Sequence, residues 1–91
     1  MTLSPEKEKL CDDLVVVMEK LSDLLKASGE DPLEYRGIEK VKNIANSCDP
    51  IGVKKIARHL DGDIRVIYDN RASSDEIEKQ FEQAYAIADQ L

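Results

Sequence analysis

Asp61, Asp63 and Asp69 are the only close group of carboxylates in an expected loop, and a hard cation is what such oxygen ligands attract. Counting a calcium loop from Asp61, however, puts Arg65 on a ligand position, Val66 where the loop needs glycine and Ala72 where it needs glutamate. The three aspartates therefore read as solvated turn residues. His59, the single histidine, titrates in the range of a general base, yet no nucleophile stands near it in sequence. Cys11 and Cys48 fall on apolar helical stripes without a C-x-x-C or Cys/His spacing. They read as free core thiols of a reducing compartment, with a disulfide between them as the alternative. Glycine-rich phosphate loops, zinc patterns and serine-hydrolase elbows are absent from the sequence. The expectation is a binding protein and not an enzyme, with no metal and no cofactor.

The basic residues offer a second chemistry. Lys54, Lys55, Arg58, Arg65 and Arg71 face only three aspartates between positions 51 and 71, so that segment carries +2 and the remainder −8. Lys54, Lys55 and Arg58 share one helical face, away from Val53, Ile56, Ala57 and Leu60, where they could meet phosphates, and Arg65 extends the set. Ile56-Ala57-Arg58-His59-Leu60-Asp61-Gly62, followed by Val66-Ile67-Tyr68, resembles the helix-turn-helix families, with their Ile-Ala pair, turn glycine and later apolar-apolar-aromatic run. That resemblance implies a DNA-binding regulator using residues 51–71. The chain departs from the pattern in two places: Asp61 stands where the turn glycine belongs, and the second helix would carry Asp63 and Asp69.

The whole-chain balance leans the other way. With 35% charged residues and a net charge of −6, nonspecific attraction to nucleic acid or an anionic membrane is opposed and a basic protein partner is favoured. Ninety-one residues, 42% of them hydrophobic and only 4% aromatic, suit one modest core under a strongly solvated surface, so residues 1–91 are expected to form a single helical domain. No apolar run approaches the ~18 residues of a spanning helix, and Met1–Lys9 lacks the apolar centre of a signal peptide. The expected location is the cytoplasm, with no membrane contact.

Four helices must position these groups. Ser4-Pro5 starts the first, which runs to about Ser28 with Gly29 as a left-handed stop. Its stripe of Leu10, Leu14, Val17, Met18, Leu21, Leu24 and Leu25, widened by Cys11 and Val15, predicts a central helix touching two neighbours, with Val16 stranded on the polar side. Asp31-Pro32 with Glu34 predicts a second start, and the helix runs to about Ser47 on a stripe of Leu33, Ile38, Val41, Ile44, Ala45 and Cys48. Gly37 falls within that stripe and predicts a close packing contact. Asp49-Pro50 opens a short third helix expected to end near Leu60, with Gly62 as its stop. From Asp61 to Ser74 the pattern is divided: Ile64, Val66 and Tyr68 alternate like a strand, whereas Ile64, Ile67 and Tyr68 fit a helical face. An irregular or short extended segment near 61–73 is expected, and an unpaired strand there would favour a symmetric contact between copies. Ser73 with Glu76 reads as a capping box for the last helix, whose face is Ile77, Phe81, Ala84, Tyr85, Ala88 and Leu91. The fold class is all-α, a compact four-helix domain centred on Leu14, Val17, Leu21, Leu24, Ile38, Val41, Ile44, Ile56, Leu60, Phe81 and Tyr85, with the first and last helices packed together or on one partner.

A second resemblance spans more of the chain. The leucine-rich first helix ending in Leu21-Ser22-Asp23-Leu24-Leu25-Lys26-Ala27-Ser28-Gly29, the Asp-opened third helix, the glycine-containing loop and the Tyr-Ala-Ile-Ala end from Tyr85 to Ala88 are similar to a group of small bacterial helical proteins of unknown function. Candidate immunity proteins are among them. Where those relatives carry a Gly-Gly-Met-Gly-like run, this chain has Asp61-Gly62-Asp63-Ile64. The resemblance implies a non-enzymatic, acidic protein-binding or regulatory module, with an immunity-type inhibitor as one form of it.

Overall fold

In the computed structural model, which describes residues 4–31, 35–71 and 74–91, the first helix is α1 (Pro5–Ala27). It opens where the sequence predicts: the Lys7 N–H donates to the Ser4 hydroxyl at 3.4 Å, and Pro5 occupies the position that needs no donor. It closes in a Schellman turn around Gly29 (φ +86°), where the Gly29 N–H donates to Lys26 and the Glu30 N–H to Leu25. Leu14, Met18, Leu21 and Leu25 are fully shielded from solvent, and burying each contributes about 1.5–3 kcal/mol. At ~1.5 Å per residue its 23 residues span nearly the whole 40 Å length of the molecule. As its broad stripe predicts, α1 packs on two neighbours, α2 and α4.

The second helix, α2 (Arg36–Ser47), buries Gly37, Ile38, Val41 and Ala45. The expected start at Asp31-Pro32 with Glu34 falls partly on residues 32–34, which lie outside the described residues together with Leu33 of the predicted stripe. The described helix begins behind Tyr35, whose side chain makes no capping bond. Tyr35 is completely buried, donates from its hydroxyl to Glu30 at 2.9 Å and accepts from Asn70 at 3.4 Å, tying the α1–α2 connection to the end of the third helix. Helix α2 ends in a second Schellman turn, with Cys48 in the left-handed conformation (φ +51°), its N–H on Ala45 and the Asp49 N–H on Ile44.

Asp49-Pro50 does open a turn. The Asp49 carboxylate accepts from the Ile51 N–H at 3.0 Å and its carbonyl from Val53, leading into a 3₁₀ turn, Gly52–Lys55. From there α3 (Ile56–Asp69) runs without interruption through Leu60, Asp61 and Gly62, so the expected stop at Gly62 and the irregular segment after it are replaced by helix. The reason lies in burial. Ile56, Leu60, Asp63 and Ile67 recur at helical spacing and are all removed from solvent, whereas a strand over 64–68 contains only Ile67 of the four and would leave its backbone unpaired. Against that gain, Gly62 costs only about 1 kcal/mol of helix propensity. Among the described residues there is no strand.

The last helix, α4 (Asp75–Gln90), is capped by Ser74, which accepts from the Ile77 N–H at 3.3 Å, one residue later than the expected cap at Ser73. Ser73 itself lies outside the described residues. Asp75, Glu76 and Glu78 in the first turn complement the helix dipole. The four helices form an all-α bundle: α1 packs on α2 and α4, α2 packs on α3, and α3 meets α4 along a more sparsely packed seam. Leu14, Val17, Leu21, Ile38, Val41, Ile56, Leu60 and Phe81 lie in the core as expected, while Leu24, Ile44 and Tyr85 pack against its edge. Val16 stands on the surface, 62% exposed. Among the described residues no helix is long and apolar enough to cross a membrane.

Candidate protein-docking site

The loose seam between α3 and α4 leaves a hollow of about 200 Å³. Ile64, Ile67 and Tyr68 reach it from α3 at i, i+3 and i+4; Ile77, Phe81 and Tyr85 reach it from α4 at i, i+4 and i+8. Each helix therefore turns one face to it. Ile67, Ile77 and Phe81 form a buried floor, Ile64 and Tyr85 are half-buried, and Tyr68 remains 57% exposed. Glu78 and Glu82, one residue past Ile77 and Phe81, are exposed on the rim. The Tyr68 hydroxyl donates to Glu78 at 3.4 Å and the Tyr85 hydroxyl to Asp61, so both aromatic edges are tied to carboxylates. Burial, the Asp61 hydrogen bond and the nearby negative charge hold the Tyr85 phenol well above its ordinary pKa, which keeps it a neutral donor. An engineered apolar cavity of about 150 Å³ admits benzene, so this hollow has room for one large apolar side chain.

Charge is divided between the two halves of the bundle. Helices α1 and α4 together carry eleven acidic and five basic residues, a balance of −6; the stretch from α2 through α3 carries five acidic and seven basic, a balance of +2. Arg36 and Lys40 of α2 and Arg58 of α3 line one shallow groove together with His59. Lys54 and Lys55 are exposed on the 3₁₀ turn and Arg65 on α3, outside that groove's lining. The half-buried His59 has its pKa lowered, first by burial and then by Lys40, Lys55 and Arg58. The helix, turn and helix that the 56–68 resemblance requires are a single helix here. Among the described residues no group of three or more His, Cys, Asp and Glu is gathered as a metal site would need.

Asp63, expected in a solvated turn, is instead buried in the basic half with 3% of its surface exposed. Its Oδ1 accepts from the Gly37 N–H at 3.0 Å, and the Ile38 N–H also stabilises the carboxylate. Asp63 thus caps α2 from a neighbouring helix, supplying the acceptor that Tyr35 lacks. Gly37 is what admits it: a Cβ there would stand 2.4 Å from the His59 carbonyl and 2.5 Å from Asp63 Oδ2. Oδ2 has no hydrogen-bond partner, and burial outweighs the two N–H groups and raises the Asp63 pKa to about 6. Sequence reasoning missed this contact, although Gly37 on one buried stripe and Asp63 in register with Ile56, Leu60 and Ile67 on another were its two halves.

No family model, curated protein or solved structure matches the chain.

Proposed function

We propose that this chain is a non-enzymatic module that binds a protein partner in the hollow between α3 and α4, and that the partner offers one large apolar side chain flanked by lysine or arginine. The observation that carries this reading is the pairing of an apolar floor, Ile67, Ile77 and Phe81, with a carboxylate rim, Glu78 and Glu82, around an exposed Tyr68. Filling the floor with an apolar anchor supplies affinity, and the rim selects and steers a basic segment. Closure of two copies through this face is disfavoured, because a symmetric contact would bring two sets of Glu78 and Glu82 into one interface and double its negative charge. If the partner is a basic enzyme such as a nuclease, the module acts as an immunity-type inhibitor, in keeping with the bacterial proteins it resembles.

Selection of a random displayed peptide library on the immobilised protein tests the reading. Enriched sequences are expected to carry an aromatic or branched aliphatic residue beside two or more basic ones, and to be lost on the double substitution Glu78→Lys, Glu82→Lys. Enrichment of acidic peptides, or enrichment indifferent to the charge reversal, contradicts it. Binding of mixed-sequence duplex DNA at low salt that weakens on substituting Lys54, Lys55 and Arg58 transfers the function to the basic half. A dimer in light scattering that buries Tyr68 gives the hollow to a second copy.

A further inference from the structure

Cys11 and Cys48 are 37 positions apart, yet the fold brings their sulfur atoms to 3.0 Å, both as free thiols. Cys11 sits inside the α1 stripe and is 1% exposed; Cys48 is half-buried at the end of α2. Cys48 also occupies the left-handed position of a Schellman turn, where glycine carries no steric cost and a side chain does. We infer that Cys11 and Cys48 are a built disulfide-forming pair, oxidised by a peroxide, that staples α1 to the end of α2. The proposal is independent of the docking site.

The asymmetry of the pair sets the order of events. Burial foremost, with the neighbouring Cys48 thiol, pushes the Cys11 pKa up to about 12, so Cys11 does not open the reaction. The Cys48 thiolate, reachable from solvent, attacks a peroxide oxygen; with hydrogen peroxide the O–O bond breaks, Cys48 becomes the sulfenic acid and water leaves after protonation. Cys11 then gives up its proton and attacks the Cys48 sulfur, forming the S–S bond and releasing a second water. Two thiols are oxidised by two electrons in all, and one hydrogen peroxide is reduced to two waters.

The test treats the reduced protein with hydrogen peroxide, alkylates without reduction and maps peptides by mass spectrometry. The expected product is a monomer about 2 Da lighter than the reduced chain, with no alkylated cysteine, one peptide pair joining Cys11 to Cys48, and full reversal by dithiothreitol. Its melting midpoint is expected to rise by about 10 °C, since the bond closes a long loop. In Cys11→Ala, Cys48 is expected to be trapped by dimedone as the sulfenic acid; in Cys48→Ala, Cys11 is expected to stay a thiol. A wild-type product that stops at Cys48 sulfinic acid with Cys11 still alkylatable, or that consists of disulfide-linked dimers, overturns the proposal. The wild-type map decides the matter even if either variant folds poorly.

Discussion

Asp63 and Gly37 depend on each other. The carboxylate caps α2 only because position 37 has no side chain, and Gly37 loses helix propensity that only a close approach compensates. Gly37→Ala is therefore expected to destabilise the fold by about 2–3 kcal/mol despite the better propensity of alanine, because the His59 carbonyl belongs to a packed helix and cannot retreat. Urea denaturation measures this directly. The pH dependence of the same pair has a definite sign. The folded Asp63 pKa of about 6 lies above the ordinary 3.8, so the fold favours the protonated acid: this contribution is complete below about pH 3.8 and is lost as pH rises through about 6. Comparing wild type with Asp63→Asn, the difference in unfolding free energy is expected to shift in favour of the wild type between pH 7 and pH 4.5. A flat difference would place Asp63 in solvent, and a shift the other way would mean that its two N–H donors outweigh burial. The packing role of Gly37 was legible in the sequence from its place in an apolar stripe. Its partner was not, because an aspartate among Asp61, Gly62 and Asp69 has the composition of a solvated turn, and only the helical register of α3 turns it inward.

At the scale of elements, local chemistry and tertiary burial compete, and each outcome follows from which is stronger. Ser4-Pro5, Gly29 and the Asp49-Pro50 start were readable because their effects are confined to one turn of chain. The cap of α4 fell at Ser74 because adjacent serines carry the same chemistry and only the phase of the Ile77–Phe81 face selects between them. Helix α3 is the instructive departure. Gly62 and the alternation of Ile64, Val66 and Tyr68 argued for a stop and a strand, but the stripe from Ile56 to Ile67 gains more from packing than a single exposed glycine loses. A Cβ at position 62 meets nothing within 4 Å and the residue is exposed inside a regular helix. Gly62→Ala is thus expected to stabilise the protein by about 0.5–1 kcal/mol, read as a higher melting midpoint. A loss of stability would instead mean that position 62 needs a conformation closed to alanine, as a turn would. The two glycines, 25 positions apart, are expected to respond to the same substitution with opposite signs.

For the whole molecule, the net charge of −6 conceals a polarised bundle, with α1 and α4 at −6 and α2 through α3 at +2. The chain order already separated a basic 51–71 segment from an acidic remainder, so this much was legible. What was not legible is that α3 and α4 meet loosely enough to leave a hollow, since a gap between two helices depends on how the other two hold them apart. The Ile64–Tyr68 segment was singled out as a contact surface for an unpaired strand; it is helical, and its exposed Tyr68 stands at that hollow instead. The central claim is that this acid-rimmed hollow is where a basic, apolar-anchored partner docks. The most direct measurement is a titration of the ¹⁵N-labelled protein with the blocked peptide Lys-Lys-Phe-Lys-Lys, followed by amide chemical shifts. Saturable shifts clustered on residues 64–68 and 77–85, weakened by salt and lost in the protein carrying Glu78→Lys and Glu82→Lys, are the predicted result. Shifts spread along the acidic faces of α1 and α4 with residues 64–68 silent, or shifts that persist after the charge reversal, would contradict it.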